Sequence, residues 1–294
     1  MHRFQGTGVA VVTPFTVDKK LDKEGLRQVI QHLIAGGVEY IVALGTTGEP
    51  ATLSLPEQEE VLAIFEEETS GKIPWVVGIG GNDTAGIIQK VKTWTTKYKV
   101  DGILSVSPYY NKPTQEGIFQ HFSAMADATD LPIILYNVPG RTASNMTAET
   151  TLRLAHEKEN IVAMKEASGN MGQIMEIIYH APEDFIVVSG DDALALPMIG
   201  AGAQGLISVI GNAYPSLTQQ LVENAVAGKM AESRVIQQKL WRMMQLIFEE
   251  GNPAGVKAIL KERLGIADQV RLPLVSVSDD LAGKIKTEIS QIFA

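Results

Sequence analysis

One lysine stands where an amine could do covalent chemistry. Lys165 ends the apolar run 161–164, so a strand over that run places its side chain at the mouth of a sheet or barrel. A lysine with its ordinary pKa of about 10.4 is almost wholly protonated at neutral pH, whereas an amine that attacks a carbonyl must be uncharged. Burial can lower that pKa by about 3 units. The position predicts a Schiff-base lysine; a rim lysine that reaches solvent or pairs with Glu166 is the alternative.

Hydroxyl groups follow other apolar runs. Tyr136 ends the run 133–135, and Thr46 and Tyr110 come after two earlier runs. Imine formation and enamine addition need repeated proton transfers, which hydroxyls within hydrogen-bond reach can relay. We therefore expect Tyr136 to approach Lys165. For any single tyrosine, packing at a strand end with its hydroxyl in water is the alternative.

Two segments have groups that suit carboxylates. Thr47 lies in the turn 45–48, where backbone N–H groups and two hydroxyls offer a neutral cradle. Arg141 carries a planar fork that matches a second carboxylate. A tight turn with capping threonines and an ordinary loop arginine are the alternatives.

Composition excludes several kinds of site. The 294 residues include no cysteine, which excludes disulfides, thiolate nucleophiles, iron–sulfur clusters and Cys-ligated zinc. The five histidines lack ligand spacing, and Asp191-Asp192 is expected to cap a following helix, so we predict no metal. A net charge of −9 without a basic cluster argues against a nucleic-acid partner. The GxGxxG pattern at 200–205 precedes a strand, the reverse of the dinucleotide-binding order.

Eight apolar runs alternate with helix-like segments and position these residues. The runs are 8–12, 40–44, 75–79, 102–106, 132–136, 161–164, 185–188 and 205–209. Near-continuous apolar strands between amphipathic helices are typical of a parallel sheet covered by helices. Eight such units predict an α/β fold, a (β/α)8 TIM barrel, with an open doubly wound sheet as the alternative. The active site of such a barrel lies at the C-terminal ends of its strands, where the candidate residues fall.

The alternation stops after residue 209. The segments 216–227, 230–248, 254–264 and 279–293 are all predicted as helices. We therefore expect a barrel domain over residues 1–224 and a C-terminal helical domain over 225–294. No apolar stretch approaches 18 residues and the first residues lack the apolar core of a secretory signal, so we expect no membrane segment and a cytoplasmic protein.

Four segments together resemble the dihydrodipicolinate synthase family. They occur in the same order and at matching intervals: GTTGE at 45–49, PYYNKP at 108–113, YNVPGRT at 136–142 and KEASG at 165–169. The similarity runs over essentially the whole chain. N-acetylneuraminate lyase and the 2-keto-3-deoxy acid aldolases share the superfamily, its barrel and its lysine, so a sugar-acid lyase is the alternative activity.

The resemblance implies condensation of pyruvate with L-aspartate 4-semialdehyde, in the diaminopimelate route to lysine. Lys165 would hold pyruvate as an imine, so no cofactor is implied. Tyr136 would donate and accept protons, with Thr46 and Tyr110 completing the relay. In the family this second tyrosine comes from a neighbouring subunit, which implies a homotetramer built as a dimer of dimers.

The resemblance also implies roles in binding. Thr47 would hold the pyruvate carboxylate, and Ile207 and Gly190 would add backbone contacts. Arg141 would receive the carboxylate of the semialdehyde, which favours the synthase over the sugar-acid lyases. Lysine-inhibited members carry polar or acidic groups near the subunit interface, where this chain has Pro50, Leu55, Gln58 and Gly86. We therefore expect weak or absent inhibition by lysine.

Overall fold

Eight parallel strands close into a barrel in the computed structural model, which describes residues 3–292. Each strand pairs with the next in the chain, and β8 returns to β1. Their bounds are β1 Gly6–Ala10, β2 Tyr40–Ala43, β3 Trp75–Gly78, β4 Gly102–Val106, β5 Ile133–Asn137, β6 Ile161–Glu166, β7 Ile186–Ser189 and β8 Gly205–Ser208. The predicted barrel is confirmed, and the closure excludes the open-sheet alternative.

Helices follow the strands and cover the barrel. They are α1 Lys23–Ala35, α2 Leu55–Thr69, α3 Thr84–Lys97, α4 Gln115–Ala126, α5 Pro139–Thr142, α6 Ala148–Glu157, α7 Met171–His180 and α8 Ala195–Gly200. Several begin at a short polar residue whose side chain accepts a backbone N–H of the first turn, as Asp22 does for α1 and Thr147 does for α6. Such caps fix where the loops at the strand ends give way to helix.

The core has two layers that follow the alternation of side chains along each strand. In β2, Tyr40 and Val42 belong to the cluster inside the barrel, whereas Ile41 belongs to the cluster between the strands and the helices. Phe4 packs edge-on against Tyr40, with ring centroids 5.6 Å apart, near the start of β2. Phe4 thus fills the barrel interior at the N-terminal end of the strands, and a cavity opens at the opposite end.

Four helices follow the last strand: α9 Pro215–Val226, α10 Met230–Glu249, α11 Ala254–Leu264 and α12 Asp279–Ile292. Helix α9 packs on β1 and β8, and α10 packs on α9, α11 and α12. The domain boundary after residue 224 falls inside α9 and stays a prediction; the predicted helix end at Phe293 lies outside the described residues. From residue 3 to residue 292, no helix is both long and apolar enough to cross a bilayer.

One expectation about a helix start is wrong. Asp191-Asp192 do not cap the helix that follows them, because α8 begins at Ala195 and Leu194 is its cap residue. Asp191 Oδ1 accepts the N–H of Ala193, which lies ahead of the helix. The Asp192 side chain instead accepts hydrogen bonds from Ser208, at the end of β8, and from the two residues after it.

Candidate active site

Lys165 and Tyr136 lie side by side on adjacent strands. They are direct partners in the register of β5 and β6, and the Lys165 Nζ atom lies 4.2 Å from the centroid of the Tyr136 ring. Only 5% of Lys165 is exposed. Burial lowers the pKa of its amine to about 8, with the charge of Asp192 opposing the shift and that of Arg141 adding to it. The amine is therefore uncharged far more often than that of a surface lysine.

The sequence left open whether Lys165 reaches solvent or pairs with Glu166. Successive side chains of a strand face opposite sides, so Glu166 points out of the barrel where Lys165 points in. The Glu166 carboxylate accepts hydrogen bonds from Asn137 Nδ2, Ser168 N and Gln173 Nε2. Both alternatives fail, since the lysine is buried and the carboxylate is held elsewhere.

Gly190 leaves the space that the Lys165 side chain occupies. A Cβ atom at residue 190 would lie 3.1 Å from Lys165 Cε and 2.8 Å from Ala167 Cβ. A larger residue just after β7 would therefore push the lysine out of place. Ile207, on β8, is fully buried and pairs with Gly8 of β1.

The pKa of the Tyr136 hydroxyl depends on burial and on the neighbouring side chains. Burial raises the pKa of Tyr136, while the charge of Arg141 and a hydrogen bond with the Thr46 side chain lower it. Thr46 lies in a single 3₁₀ turn, Thr46–Gly48, that follows β2. The structure thus joins two of the predicted relay groups beside the amine.

A cavity of about 500 Å³ opens at the C-terminal end of the barrel. Its wall includes Thr46, Tyr136 and Arg141 from the predicted set, and it also includes Asn252. Lys165 is not part of this wall but lies against the ring of Tyr136. The other predicted binding groups, Thr47, Gly190 and Ile207, are not part of the wall either.

Tyr110 differs from the other predicted residues outside the wall, because it is exposed and not buried near the cavity. Its side chain is 86% exposed, and its backbone has φ 73°, in the left-handed region that L residues seldom adopt. The loop after β4 therefore presents the tyrosine outwards.

Asp192 is a functional candidate that the sequence reasoning assigned to a helix cap. Its buried carboxylate accepts hydrogen bonds from Ser208 Oγ at 2.5 Å, Val209 N at 3.0 Å and Ile210 N at 3.1 Å. Burial raises its pKa, and these three donors oppose the shift. Three donors and no acceptor suit an ionised carboxylate, whose charge then acts on Lys165.

Asn252 was missed altogether, and Asn137 was noted only as part of the segment 136–142, with no role assigned to it. Asn137 directly follows Tyr136 and pairs with Glu166, so its position at the end of an apolar run could have drawn attention to it. Asn252 precedes α11 in the C-terminal region, far from any strand, and no pattern in the sequence marks it. In the part of the chain that the structure describes, no three acidic or histidine side chains are grouped to hold a metal ion.

Comparisons with known proteins find one family over nearly the full length of this chain. The model of the Dihydrodipicolinate synthetase family matches residues 3–292. The 4-hydroxy-tetrahydrodipicolinate synthase of Flavobacterium psychrophilum is 50% identical, with 99% of each chain covered, and that of Porphyromonas gingivalis is 47% identical, with 98% of each covered. A crystal structure of dihydrodipicolinate synthase from Thermotoga maritima superposes with a TM-score of 0.96 at 38% identity, covering 99% of each chain.

Proposed function

Because this chain belongs to the dihydrodipicolinate synthetase family, we infer that it condenses pyruvate with L-aspartate 4-semialdehyde to give 4-hydroxy-tetrahydrodipicolinate. It is a lyase of the class I aldolase type and serves lysine biosynthesis through diaminopimelate. The alternative of a sugar-acid lyase is not favoured, since the relatives named above are 4-hydroxy-tetrahydrodipicolinate synthases. The observation that carries the residue assignment is the buried amine of Lys165 against the ring of Tyr136.

The covalent steps begin at Lys165. Its uncharged amine attacks C2 of pyruvate, and loss of water from the adduct leaves an imine. Loss of a proton from the methyl carbon gives an enamine, whose carbon adds to the aldehyde carbon of the second substrate, and the resulting alkoxide takes up a proton. The amino group of that substrate then attacks the imine carbon and displaces the Lys165 amine, which closes the ring and frees the lysine. The hydroxyl of Tyr136 donates and accepts these protons, Thr46 adjoins it, and Tyr110 of the partner subunit completes the relay. The protein needs no further cofactor for these steps.

The carboxylates of the two substrates bind to different groups of residues. Thr47 holds the pyruvate carboxylate, with backbone contacts from Ile207 and Gly190 beside the imine. Arg141 receives the carboxylate of the semialdehyde, because its guanidinium can form two parallel hydrogen bonds to a carboxylate. Its place on the cavity wall, within electrostatic range of Tyr136 and Lys165, supports this assignment.

Reductive trapping tests the role of Lys165. The protein is incubated with pyruvate and borohydride, and the modified residue is identified by mass spectrometry. The expected result is one reduced pyruvyl adduct, on Lys165, that is absent from the Lys165→Ala variant. Lys257 is a matched internal control, since burial lowers its pKa to about 8 as well although it does not line the cavity. A folded protein without the adduct, or with it on Lys257, overturns the assignment.

We further propose a cytoplasmic homotetramer built as a dimer of dimers, with no nucleic-acid partner. The outward position of Tyr110 supports such an assembly, since a residue of the relay then needs a second subunit. The division into residues 1–224 and 225–294 is likewise proposed, with α10 to α12 forming most of the second domain.

Weak or absent inhibition by lysine is also proposed. Gly86 provides no carboxylate for an ammonium group, and Leu55 is 57% exposed and apolar. The expected result is unchanged initial velocity at submillimolar lysine with both substrates near their KM values. Half-inhibition in that range would contradict the proposal.

A further inference from the structure

The C-terminal helices reach back to the turn that carries Thr46 and Thr47. Asn252, at the start of α11, donates a hydrogen bond from Nδ2 to Thr47 Oγ1 at 3.0 Å. Both side chains are buried, and 205 residues separate them in the chain. Asn252 also lines the cavity, whereas Thr47 lies just behind the wall. The contact therefore joins the proposed carboxylate cradle to a segment outside the barrel strands.

The direction of this hydrogen bond decides what Thr47 can offer to a substrate. A hydroxyl has one proton and two lone pairs, and an amide Nδ2 can only donate. Because Thr47 accepts from Asn252, its own proton is left free, and the structure records no acceptor for it among residues 3–292. With Asn252 Nδ2 as the donor, the Thr47 O–H is set up to donate to an anion, and Asn252 Oδ1 is left buried without a hydrogen-bond partner among the described residues.

A second contact with the C-terminal region holds the other end of the turn. Glu49, with φ 53°, is buried, and its Oε1 atom accepts a hydrogen bond from Lys257 Nζ at 2.5 Å. Its Oε2 atom accepts the backbone N–H of Arg271 at 3.2 Å. The segment 46–49 is thus held by Asn252 just before α11, by Lys257 within α11 and by Arg271 in the loop after it.

We propose that Asn252 is a positioning residue for pyruvate: its amide holds the Thr47 hydroxyl as a donor to the substrate carboxylate. This inference rests on the proposed function, and it adds a group outside the barrel strands to the machinery. Asn252 acts through Thr47 and takes no part in the bond-forming steps.

The isosteric variant Asn252→Asp tests the direction directly. A carboxylate at residue 252 accepts the Thr47 proton and turns the donor away from pyruvate, and it adds a negative charge near an anionic substrate. We expect the KM for pyruvate to rise about 10- to 100-fold, as the loss of a hydrogen bond to a charged group implies. The rise should shrink as the pH falls and the new carboxyl is protonated. The KM for the semialdehyde, held by Arg141, should change little.

Three further variants complete the design. Asn252→Ala frees the Thr47 hydroxyl without reversing it, so its effect on the KM for pyruvate should be smaller than that of Asn252→Asp. Asn224→Asp, on α9 and away from the cavity, makes the same charge change and should leave both KM values unaltered. In a Thr47→Val background the effect of Asn252→Asp should largely disappear, because the hydroxyl through which it acts is gone.

The outcomes separate this inference from the proposed function. If the wild type traps pyruvate on Lys165 while Asn252→Asp binds pyruvate normally, then the direction of the Thr47 hydroxyl does not govern pyruvate binding and the inference is wrong. An equal effect with and without the Thr47 hydroxyl also overturns it. If Asn252→Asp fails to fold, Asn252→Ala measured in both Thr47 backgrounds gives the same comparison. A wild type that traps no pyruvate refutes the proposed function itself.

Discussion

Burial and two charges with opposite effects set the pKa of the Lys165 amine. Desolvation is the main cause of its lowered pKa, the charge of Asp192 raises that pKa, and the charge of Arg141 lowers it. Since the attacking form is the free amine, the initial rate of pyruvate trapping should rise with pH and level off above about 8. In Asp192→Asn the opposing charge is lost, so the midpoint should move to lower pH. Borohydride trapping at subsaturating pyruvate across a pH series measures both midpoints, because the rate then reports the free amine.

The adjacent Asp191→Asn variant is the control for this shift. Asp191 is less buried than Asp192 and is not among the groups that alter the pKa of Lys165. It should keep the wild-type midpoint. An unchanged midpoint in Asp192→Asn would mean that this carboxyl carries no charge in the folded protein.

The two residues whose proximity the sequence predicted both lie at the ends of strands. Lys165 and Tyr136 end apolar runs, and parallel strands bring all such ends to one edge of the barrel, so their proximity was predictable. The pairing of Asn252 with Thr47 was not, because it depends on how α11 packs against the barrel, and no local pattern encodes that contact. Asp192 was misread for the same reason: its donors are Ser208, the last residue of β8, and the two residues after it, and these distant hydrogen bonds outweighed the local preference for a helix cap.

At the scale of elements, Glu166 and Asn137 lock β5 to β6 one residue beyond the reactive pair. All the polar partners of Glu166 are donors, so the variant Glu166→Gln brings an NH₂ group against them. We expect the free energy of unfolding to fall by about 1–3 kcal/mol, the cost of a buried unpaired donor. Turnover should fall as well, because the same contact aligns Tyr136 and Lys165.

Denaturant unfolding and steady-state kinetics measure the two effects of Glu166→Gln. Glu176→Gln, an exposed position on α7, is the control and should be neutral. If Glu166→Gln kept full stability and turnover, the carboxyl would already be protonated in the wild type, and the role of its charge would be refuted.

The C-terminal helices are attached to the barrel by the buried pair of Lys257 and Glu49. Lys257→Met leaves the Glu49 carboxylate buried without its cation, so we expect a loss of about 3–5 kcal/mol in the free energy of unfolding. Adding Glu49→Gln should recover part of this loss, because the uncompensated charge is removed. Lys261→Met breaks an exposed pair with Asp268 and should cost less than about 1 kcal/mol.

Denaturant unfolding of these variants measures the losses in the free energy of unfolding. Equal losses in Lys257→Met and Lys261→Met would mean that the buried pair contributes no more than a surface one. Failure of Glu49→Gln to recover any stability would show that packing by the lysine stem, and not its charge, holds α11 in place.

Helix and strand positions were predictable to within a few residues, since each depends on a local period. The prediction gave α11 with the same bounds as the structure, 254–264. The short elements were missed: the 3₁₀ turns Thr46–Gly48 and Pro50–Thr52 and the single-turn helix α5 are too brief to show a period. These turns carry Thr46, Thr47 and Arg141, so the site's loops are less predictable than the strands beneath them.

At the scale of the whole molecule, the outward position of Tyr110 makes the assembly testable. The side chain is mostly exposed, so Tyr110→Phe should leave the fold of each subunit intact while removing the hydroxyl. Homo-oligomers of Tyr110→Phe and of Lys165→Ala should both have low activity, the second almost none. Each variant, however, retains the group that the other lacks.

Mixed oligomers of these two variants decide whether Tyr110 serves its own site or that of its partner. If the hydroxyl crosses the interface, a mixed dimer has one complete site: Lys165 from the Tyr110→Phe subunit and Tyr110 from the Lys165→Ala subunit. Random 1:1 reassembly then makes about half of the dimers mixed, and activity should recover to about a quarter of the wild-type value. If the hydroxyl acts within its own subunit, no mixed dimer contains a complete site, and the mixture should be no more active than the average of the two parents. Activity measured before and after dissociation and reassembly separates these results, because unmixed proteins provide the baseline in the same sample.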